Sequence, residues 1–253
     1  MTDVNVETRE GVMTMTITRP EARNAINRSV AEGIAAAVDE LESRDDIVVA
    51  ILTGAGGNFC AGMDLKAFVR GESTSLPGRG FAGLTERPPT KPLIAAVEGW
   101  ALAGGCELAL AADIIVASSA AKFGLPEVKR GLVAAGGGLL RLPKSVPYSL
   151  AMLLTLTGEP MTAADAERHG LVTVLVEPGA ALDTARYIAA KIAGNGPLAV
   201  RATKAIIAGQ ANWTDPDAFG RQRQITAPVF ASADAKEGAQ AFAEKRTPRW
   251  RGR

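Results

Sequence analysis

"KPLIAAVEGWALAGGCELALAADIIVAS", residues 91–118, decides how this chain is read. "KPLIAAVEG" is an apolar run ending in glycine, the pattern of a strand buried on both faces. Gly104 and Gly105 follow, then helix-forming residues through Ala112, and "DIIVAS" is again an apolar, β-branched strand. A single charge, Glu107, interrupts the small apolar residues of the helix. A buried charge without a partner costs several kcal/mol. The first turn of a helix favours a carboxylate through its partial positive charge. Glu107 is therefore either a structural first-turn residue or one kept for chemistry.

Upstream, a second segment repeats the plan. "IVVAILTG" (47–54) is a β-branched run, "GAGGNFCAGMDL" (54–65) a glycine-containing turn, and "MDLKAFV" a short helix. The first N–H groups of a helix have no intrahelical acceptor. Two such helix starts meeting in a cleft offer two donors to one oxygen, which is an oxyanion hole. Each turn taken alone is also ordinary glycine punctuation. Glu127 follows Pro126 in "FGLPEVKRGL", a commonplace start to a turn. Two glutamates and two N–H donors together make the kit for proton transfer beside a carbonyl.

Further out, "VMTMTITR" (12–19) alternates in type, with Met13, Met15 and Ile17 on one face. Val30, Ile34, Val38 and Leu41 recur at helical spacing between Ser29 and Ser43. Residues 70–90 are rich in Gly, Pro and Ser and form the best lid or substrate wall. After Pro147 the pattern is mainly helical, except for the strand-like "LVTVLVE" (171–177). Helices are expected to start near Pro147, Thr162, Ala180, Pro197, Asp215 and Asp234. The reading is an α/β core over residues 1–195 and a helical C-terminal region over 196–253.

Composition removes other classes. The 253 residues, 47% of them hydrophobic, suit one compact domain or one with a small appendage. With 28 basic and 27 acidic residues there is no footprint for nucleic acid or an anionic membrane. The basic end "TPRWRGR" (247–253) reads as a short solvated tail. No stretch approaches the roughly 20 apolar residues of a membrane helix, and the first residues do not resemble a signal peptide. Cys60 and Cys106 are the only cysteines and do not form a C-x-x-C pair, which points to a reduced cytoplasmic protein. His169 stands alone before Gly170, as expected at a helix end. A zinc site needs clusters of His or Cys that this sequence lacks. "GAGGNF" breaks dinucleotide-loop spacing at Phe59, and neither a G-x-S-x-G elbow nor a Walker sequence occurs. Carboxylates and backbone dipoles are left to carry the chemistry.

Several segments together resemble the enoyl-CoA hydratase/isomerase, or crotonase, family. They are "RPEARNAI", "ILTGAGGNFCAGMDLK", the 91–118 stretch, "AKFGLPEVKRGL", "LTGEPMTAADAERHGLV" and "DAKEGAQAFAEKR". The resemblance implies a crotonase-like α/β spiral of β-β-α turns with a helical C-terminal oligomerisation region. It also implies trimers, commonly paired into hexamers, and a coenzyme A thioester substrate without metal or redox cofactor. By the family pattern the oxyanion donors fall on Met63 and Gly104, and the two hydratase glutamates on Glu107 and Glu127. Contacts to the CoA portion fall on Arg23, Ala25, Ala61, Asp64, Leu65 and Lys66, with Lys245 near the 3′-phosphate. Ala135 would offer its N–H to the attacking water.

The sequence departs from the family in two places. Ala103 replaces the first glycine of the "GGG-x-E" run, and "AAGGGL" (134–139) stands where the family has "PGAGGT". The implied reaction is syn addition of water to a trans-2-enoyl thioester. "GRGFAGLTE", "LLRLPK" and "FAEKRTPRWRGR" also resemble the carnitinyl-CoA dehydratase branch, which acts on a trimethylammonium acyl group. Phe68, Phe81, Trp100 and Glu86 would be available to such a cation. Double-bond isomerisation is a third option. RNA binding or an inactive scaffold is a different class; the neutral charge argues against the first and the glutamate pair against the second.

Overall fold

The computed structural model describes residues 3–214 and 216–253. In chain order the elements are β1 (Val4–Arg9), β2 (Val12–Ile17), α1 (Arg28–Ser43), β3 (Val49–Gly54), α2 (Leu65–Val69), β4 (Ser75–Leu76) and β5 (Gly80–Phe81). Next come β6 (Leu93–Val97), β7 (Trp100–Leu102), α3 (Gly104–Leu110), β8 (Ile114–Ser118), β9 (Lys122–Gly124) and a 3₁₀ turn (Glu127–Arg130). They are followed by α4 (Gly138–Ser145), α5 (Tyr148–Thr157), β10 (Met161–Thr162), α6 (Ala163–Arg168) and β11 (Val174–Val176). The chain closes with α7 (Ala181–Ala193), α8 (Pro197–Gly209), α9 (Asp217–Phe230) and α10 (Ala233–Ala243).

The main sheet runs β1-β2-β3-β6-β8-β11. Only the β1–β2 pair is antiparallel; the remaining pairs are parallel. A second sheet runs β10-β9-β7 and is extended by a parallel bridge between Cys60 and Ala101. The chain alternates between the two sheets. β3, the Cys60 bridge and α2 form one turn; β6, β7 and α3 the next; β8, β9 and the 3₁₀ turn a third. Three repeats of strand, strand and helix wind the core into a spiral.

Packing explains the periodicities. On β2, Met13, Met15 and Ile17 are all buried against α1, whose Val30, Ile34, Val38 and Leu41 form the matching stripe. Burying each such side chain is worth about 1.5–3 kcal/mol. The opposite face of the sheet is covered by α7 through Ala181, Ala185 and Ala189, which pack on Val49, Ile51, Ile94 and Val116. β3, β6 and β8 are thus buried on both faces, as their unbroken apolar runs require.

Two expectations need correction, and one falls partly outside the described residues. The strand foreseen over 171–177 shrinks to Val174–Val176, because the N–H groups of Leu171 and Val172 both bond back to the carbonyl of Ala166 to close α6. The helix start expected near Asp215 lies outside the described residues; the helix itself is Asp217–Phe230. The basic tail is not a loose solvated end. Asp234 accepts the N–H groups of Arg251 (2.7 Å) and Gly252 (2.9 Å), and Glu237 holds the Arg246 guanidinium and the Arg249 N–H. The Trp250 indole donates to the Gly194 carbonyl at 2.8 Å. The tail therefore clamps α10 onto the end of α7. Among the described residues no helix is long and apolar enough to cross a membrane.

Candidate active site

Each residue of α3 is buried, and Glu107 among them is only 3% exposed. Its carboxylate is not orphaned. Oε1 accepts the N–H of Gly138 at 2.9 Å, across 31 residues, at the first turn of α4. Burial pushes the Glu107 carboxyl above the usual carboxylate range, while the N–H groups of Gly138 and Gly136 and the charge of Arg141 oppose that shift. Glu127 opens the 3₁₀ turn after Pro126. Burial first, and the nearby charge of Glu107, push its carboxyl up to about 7, against its own backbone N–H and Arg130. Its Oε2 is buried without a hydrogen-bond partner among the described residues.

Both glutamates line one cavity of about 360 Å³. Its walls also carry Met63, Gly104, Arg23, Ala61, Leu65 and Ala135. Eight of the twelve site residues expected from the sequence therefore meet in one place. The other four lie outside these walls. The carboxylate of Asp64 caps α2, accepting the N–H groups of Lys66 and Ala67, and takes the Arg19 guanidinium at 3.0 Å. The carbonyl of Ala25 accepts from the same guanidinium. Lys66 is exposed on α2, and Lys245 is exposed beyond the end of α10. Arg19 went unnoticed in the sequence; it ties the loop before α1 to the start of α2.

The backbone at the two expected donors, Met63 and Gly104, is set by local geometry. Met63 forms a parallel bridge with Ile26, in which Ile26 donates to Gly62 and Asp64 donates to Ile26. In such a bridge the N–H of Met63 itself faces the opposite way. Gly104 is the first residue of α3, so its N–H has no intrahelical acceptor. The two turns adjoin: a methyl group on Gly62 would come within 3.2 Å of the Gly104 nitrogen. Glycine is required at both starts of α3. A side chain at Gly104 would overlap the Phe81 ring, and one at Gly105 the Cys60 carbonyl.

Ala103, between the strand and the helix, has φ +50° and ψ −128°, a conformation nearly restricted to glycine. Its N–H donates to Gly124 at 2.9 Å, and its carbonyl accepts from Glu107. The strain is held in place by bonds to both glutamate-bearing segments. Such a residue costs about 1–3 kcal/mol. Ala103→Gly is therefore expected to stabilise the protein by about 1 kcal/mol after the added freedom of the unfolded chain, raising Tm by about 2–4 °C. Calorimetry at fixed protein concentration checks this. A lower Tm would mean that methyl packing against the Gly62 turn outweighs the strain.

The loop foreseen as a lid or wall is a wall. Thr74, Ser75 and Phe81 face the cavity, and the β4–β5 hairpin is fastened to α1 by an Arg79–Asp39 ion pair at 2.5 Å. Of the residues considered for a cation, Phe68, Phe81 and Trp100 line the cavity and Glu86 does not. The Trp100 ring is already covered by the Arg23 guanidinium, 4.5 Å from its centroid.

A family model described as enoyl-CoA hydratase/isomerase matches residues 7–253. Enoyl-CoA hydratase EchA19 of Mycobacterium tuberculosis is 45% identical over 258 aligned positions, covering 99% of this chain and 97% of that protein. A carnitinyl-CoA dehydratase of Proteus mirabilis is 40% identical, with 99% and 98% covered. The crystal structure of an enoyl-CoA hydratase from Mycobacterium tuberculosis H37Rv superimposes with a TM-score of 0.98 at 60% identity, covering all of both chains. The spiral core, the two adjoining glycine turns and the full-length matches have one reading: the chain belongs to the enoyl-CoA hydratase/isomerase family.

Proposed function

We propose that the protein is an enoyl-CoA hydratase that adds water to a trans-2-enoyl coenzyme A thioester. The observation that carries this is the convergence of Glu107 and Glu127 on one cavity with the Met63 and Gly104 turns. Water stands between the carboxylates. Its oxygen bonds to the β-carbon and one of its protons passes to Glu107. Glu127 delivers its own carboxyl proton to the α-carbon. Negative charge builds on the thioester oxygen and is met by the N–H groups of Met63 and Gly104. Delivery of hydroxyl and proton to one face gives syn addition. The pair is reset when Glu107 loses its proton and Glu127 regains one from solvent. The N–H groups at Glu107 favour its charged form, and the value near 7 for Glu127 leaves it a proton to give at neutral pH. Carboxylates and peptide dipoles supply each step, so the scheme calls for no metal or redox cofactor.

The cavity supports an uncharged acyl chain over a trimethylammonium group. Met63, Leu65, Phe68, Phe81, Leu132 and Val133 make its walls apolar. The carboxylates in the lining are Glu107 and Glu127 themselves, and Arg23 and Arg130 add positive charge. A turnover screen over enoyl-CoA chain lengths, with crotonobetainyl-CoA included, tests this. Unbranched enoyl thioesters are expected to turn over fastest, and kcat/KM is expected to fall as pH rises through about 7, where Glu127 loses its proton. Faster turnover of crotonobetainyl-CoA would reverse the substrate assignment, and double-bond migration without hydration would reverse the reaction.

The assembly we infer is a trimer or hexamer, with residues 196–253 serving association and the protein working in the cytoplasm. The free, buried Cys60 and Cys106 fit a reducing compartment. Exposed apolar side chains of that region support association: Ile207 is 67% exposed, Phe219 66%, Phe230 78% and Phe242 88%. Patches of this kind mark interaction surfaces. Sedimentation velocity is expected to give a trimer or hexamer; monomer alone at micromolar concentration rejects the assembly.

A further inference from the structure

α4 was invisible in the sequence, and its placement adds a residue to the site. Arg141 lies one turn into α4 and folds back over the N-terminus of its own helix. Its Nη2 donates to the Thr85 carbonyl at 2.6 Å, and its Nη1 lies where a side chain on Gly137 would stand. The residues on either side of Gly137 are the ones against Glu107. A methyl group on Gly136 would lie 2.5 Å from Glu107 Oε2, and one on Gly138 3.1 Å from Oε1. The guanidinium therefore sits just behind the peptide groups that hold the carboxylate. It is half-buried and forms no ion pair with any carboxylate among the described residues. A half-buried cation whose hydrogen-bond partner is a neutral carbonyl is costly unless a nearby charge offsets it.

We propose that Arg141 is a positioning residue: it pins the N-terminus of α4 between the Thr85 wall and Glu107 and places its positive charge behind the peptide groups that hold the carboxylate. The proposal deepens the hydratase reading and rests on it for its effect on rate. Other groups act around Glu107 as well. Glu127 opposes it from the 3₁₀ turn, and the buried Cys106 thiol neighbours it on α3. β6 and β7, which pack on α3, carry no charged side chain. Of the cations near the two carboxyls, Arg141 acts on Glu107 and Arg130 on Glu127. Together with the Gly138 N–H, Arg141 makes unequal two carboxyls that would otherwise compete for one proton.

The test compares Arg141→Met with Arg141→Lys. Carbon-13 NMR on protein labelled at the glutamate carboxyls reads the ionisation of Glu107 without any substrate, its signal assigned by loss in Glu107→Gln. Arg141→Met is expected to move the Glu107 titration upward by about one unit or more, and Arg141→Lys to restore most of it. In kinetics the acid limb of kcat/KM should move upward by the same amount, so that hydration on that limb is about tenfold slower at a given pH. An unmoved Glu107 titration in folded Arg141→Met overturns the proposal, even if the rate falls evenly at each pH, because that pattern belongs to a loosened helix. If Arg141→Met does not fold, Arg141→Lys decides through the Thr85 anchor. It should keep the titration of Glu107 near the wild-type position, and a shift as large as one unit overturns the proposal. Absence of hydration by the wild type would reject the hydratase reading and leave the titration to judge Arg141.

Discussion

Glu107→Gln and Glu127→Gln should each slow hydration of a short trans-2-enoyl-CoA by about 10²–10⁴-fold, the range for general acid–base help. Both substitutions keep size and hydrogen bonding and remove only the ionisable site. Hydration destroys the conjugated enoyl thioester, so falling ultraviolet absorbance follows the reaction. The double variant should be little slower than the slower single one, because both groups serve one proton-transfer event. The fold should survive: a glutamine at 107 still offers an oxygen to the Gly138 N–H, which Glu107 accepts at 2.9 Å. At Glu127 the substitution removes a carboxyl that has an unpartnered buried oxygen. An isomerase would behave differently, since one glutamate suffices to shuttle a proton along the chain, and Glu107→Gln would leave double-bond migration largely intact. A folded Glu107→Gln protein that hydrates at the wild-type rate would return Glu107 to a structural place in the first turn of α3.

Met63→Pro should lower kcat by about 10²–10³-fold, the cost of one lost oxyanion donor, whereas Met63→Ala should keep much of the activity. The contrast isolates the peptide N–H from the side chain. The bridge to Ile26 uses the N–H of Asp64 and the carbonyl of Gly62, so proline at 63 removes no bond of that bridge. KM should change little in comparison, because the donor meets charge that develops only as the reaction proceeds. Circular dichroism confirms that both variants fold. Equal activity in the two folded variants would remove Met63 from the hole and leave Gly104 with a different partner.

The parts that were legible in the sequence are those written in short-range pattern. The α1 stripe, the apolar runs of β3, β6 and β8, and the glycine turn before Glu107 follow from periods of a few residues. Gly170 marked a helix end, and its φ of +88° after α6 agrees. α4 was hidden because Pro143 lies inside it, two glycines precede it and a third opens it, all of which read as helix breakers. Pro143 is tolerated because in so short a helix the carbonyl that it leaves without a partner is that of Leu139, exposed at the first turn. The N–H that holds Glu107 was hidden with it, since no local rule links residues 107 and 138. Phe81 over Gly104 and Arg19 on Asp64 are likewise long-range pairings. The tail was misjudged for the same reason: its partners, Asp234, Glu237 and Gly194, belong to other elements.

The order of the main sheet is also the order of synthesis. β1, β2, β3, β6, β8 and β11 stand side by side in the sequence in which they leave the ribosome. No later strand has to insert between two that are already paired, so a nascent chain can add each strand to a growing edge. The gaps between β3 and β6, between β6 and β8 and between β8 and β11 each supply residues that line the cavity. At roughly 5–20 residues per second, such an edge stays open for seconds while they are made. An open apolar edge invites pairing with another chain. The last strand, β11, is three residues long, and α7 follows it directly to cover the apolar face. Translation therefore ends the exposure of the sheet only after the pieces of the cavity are already in place.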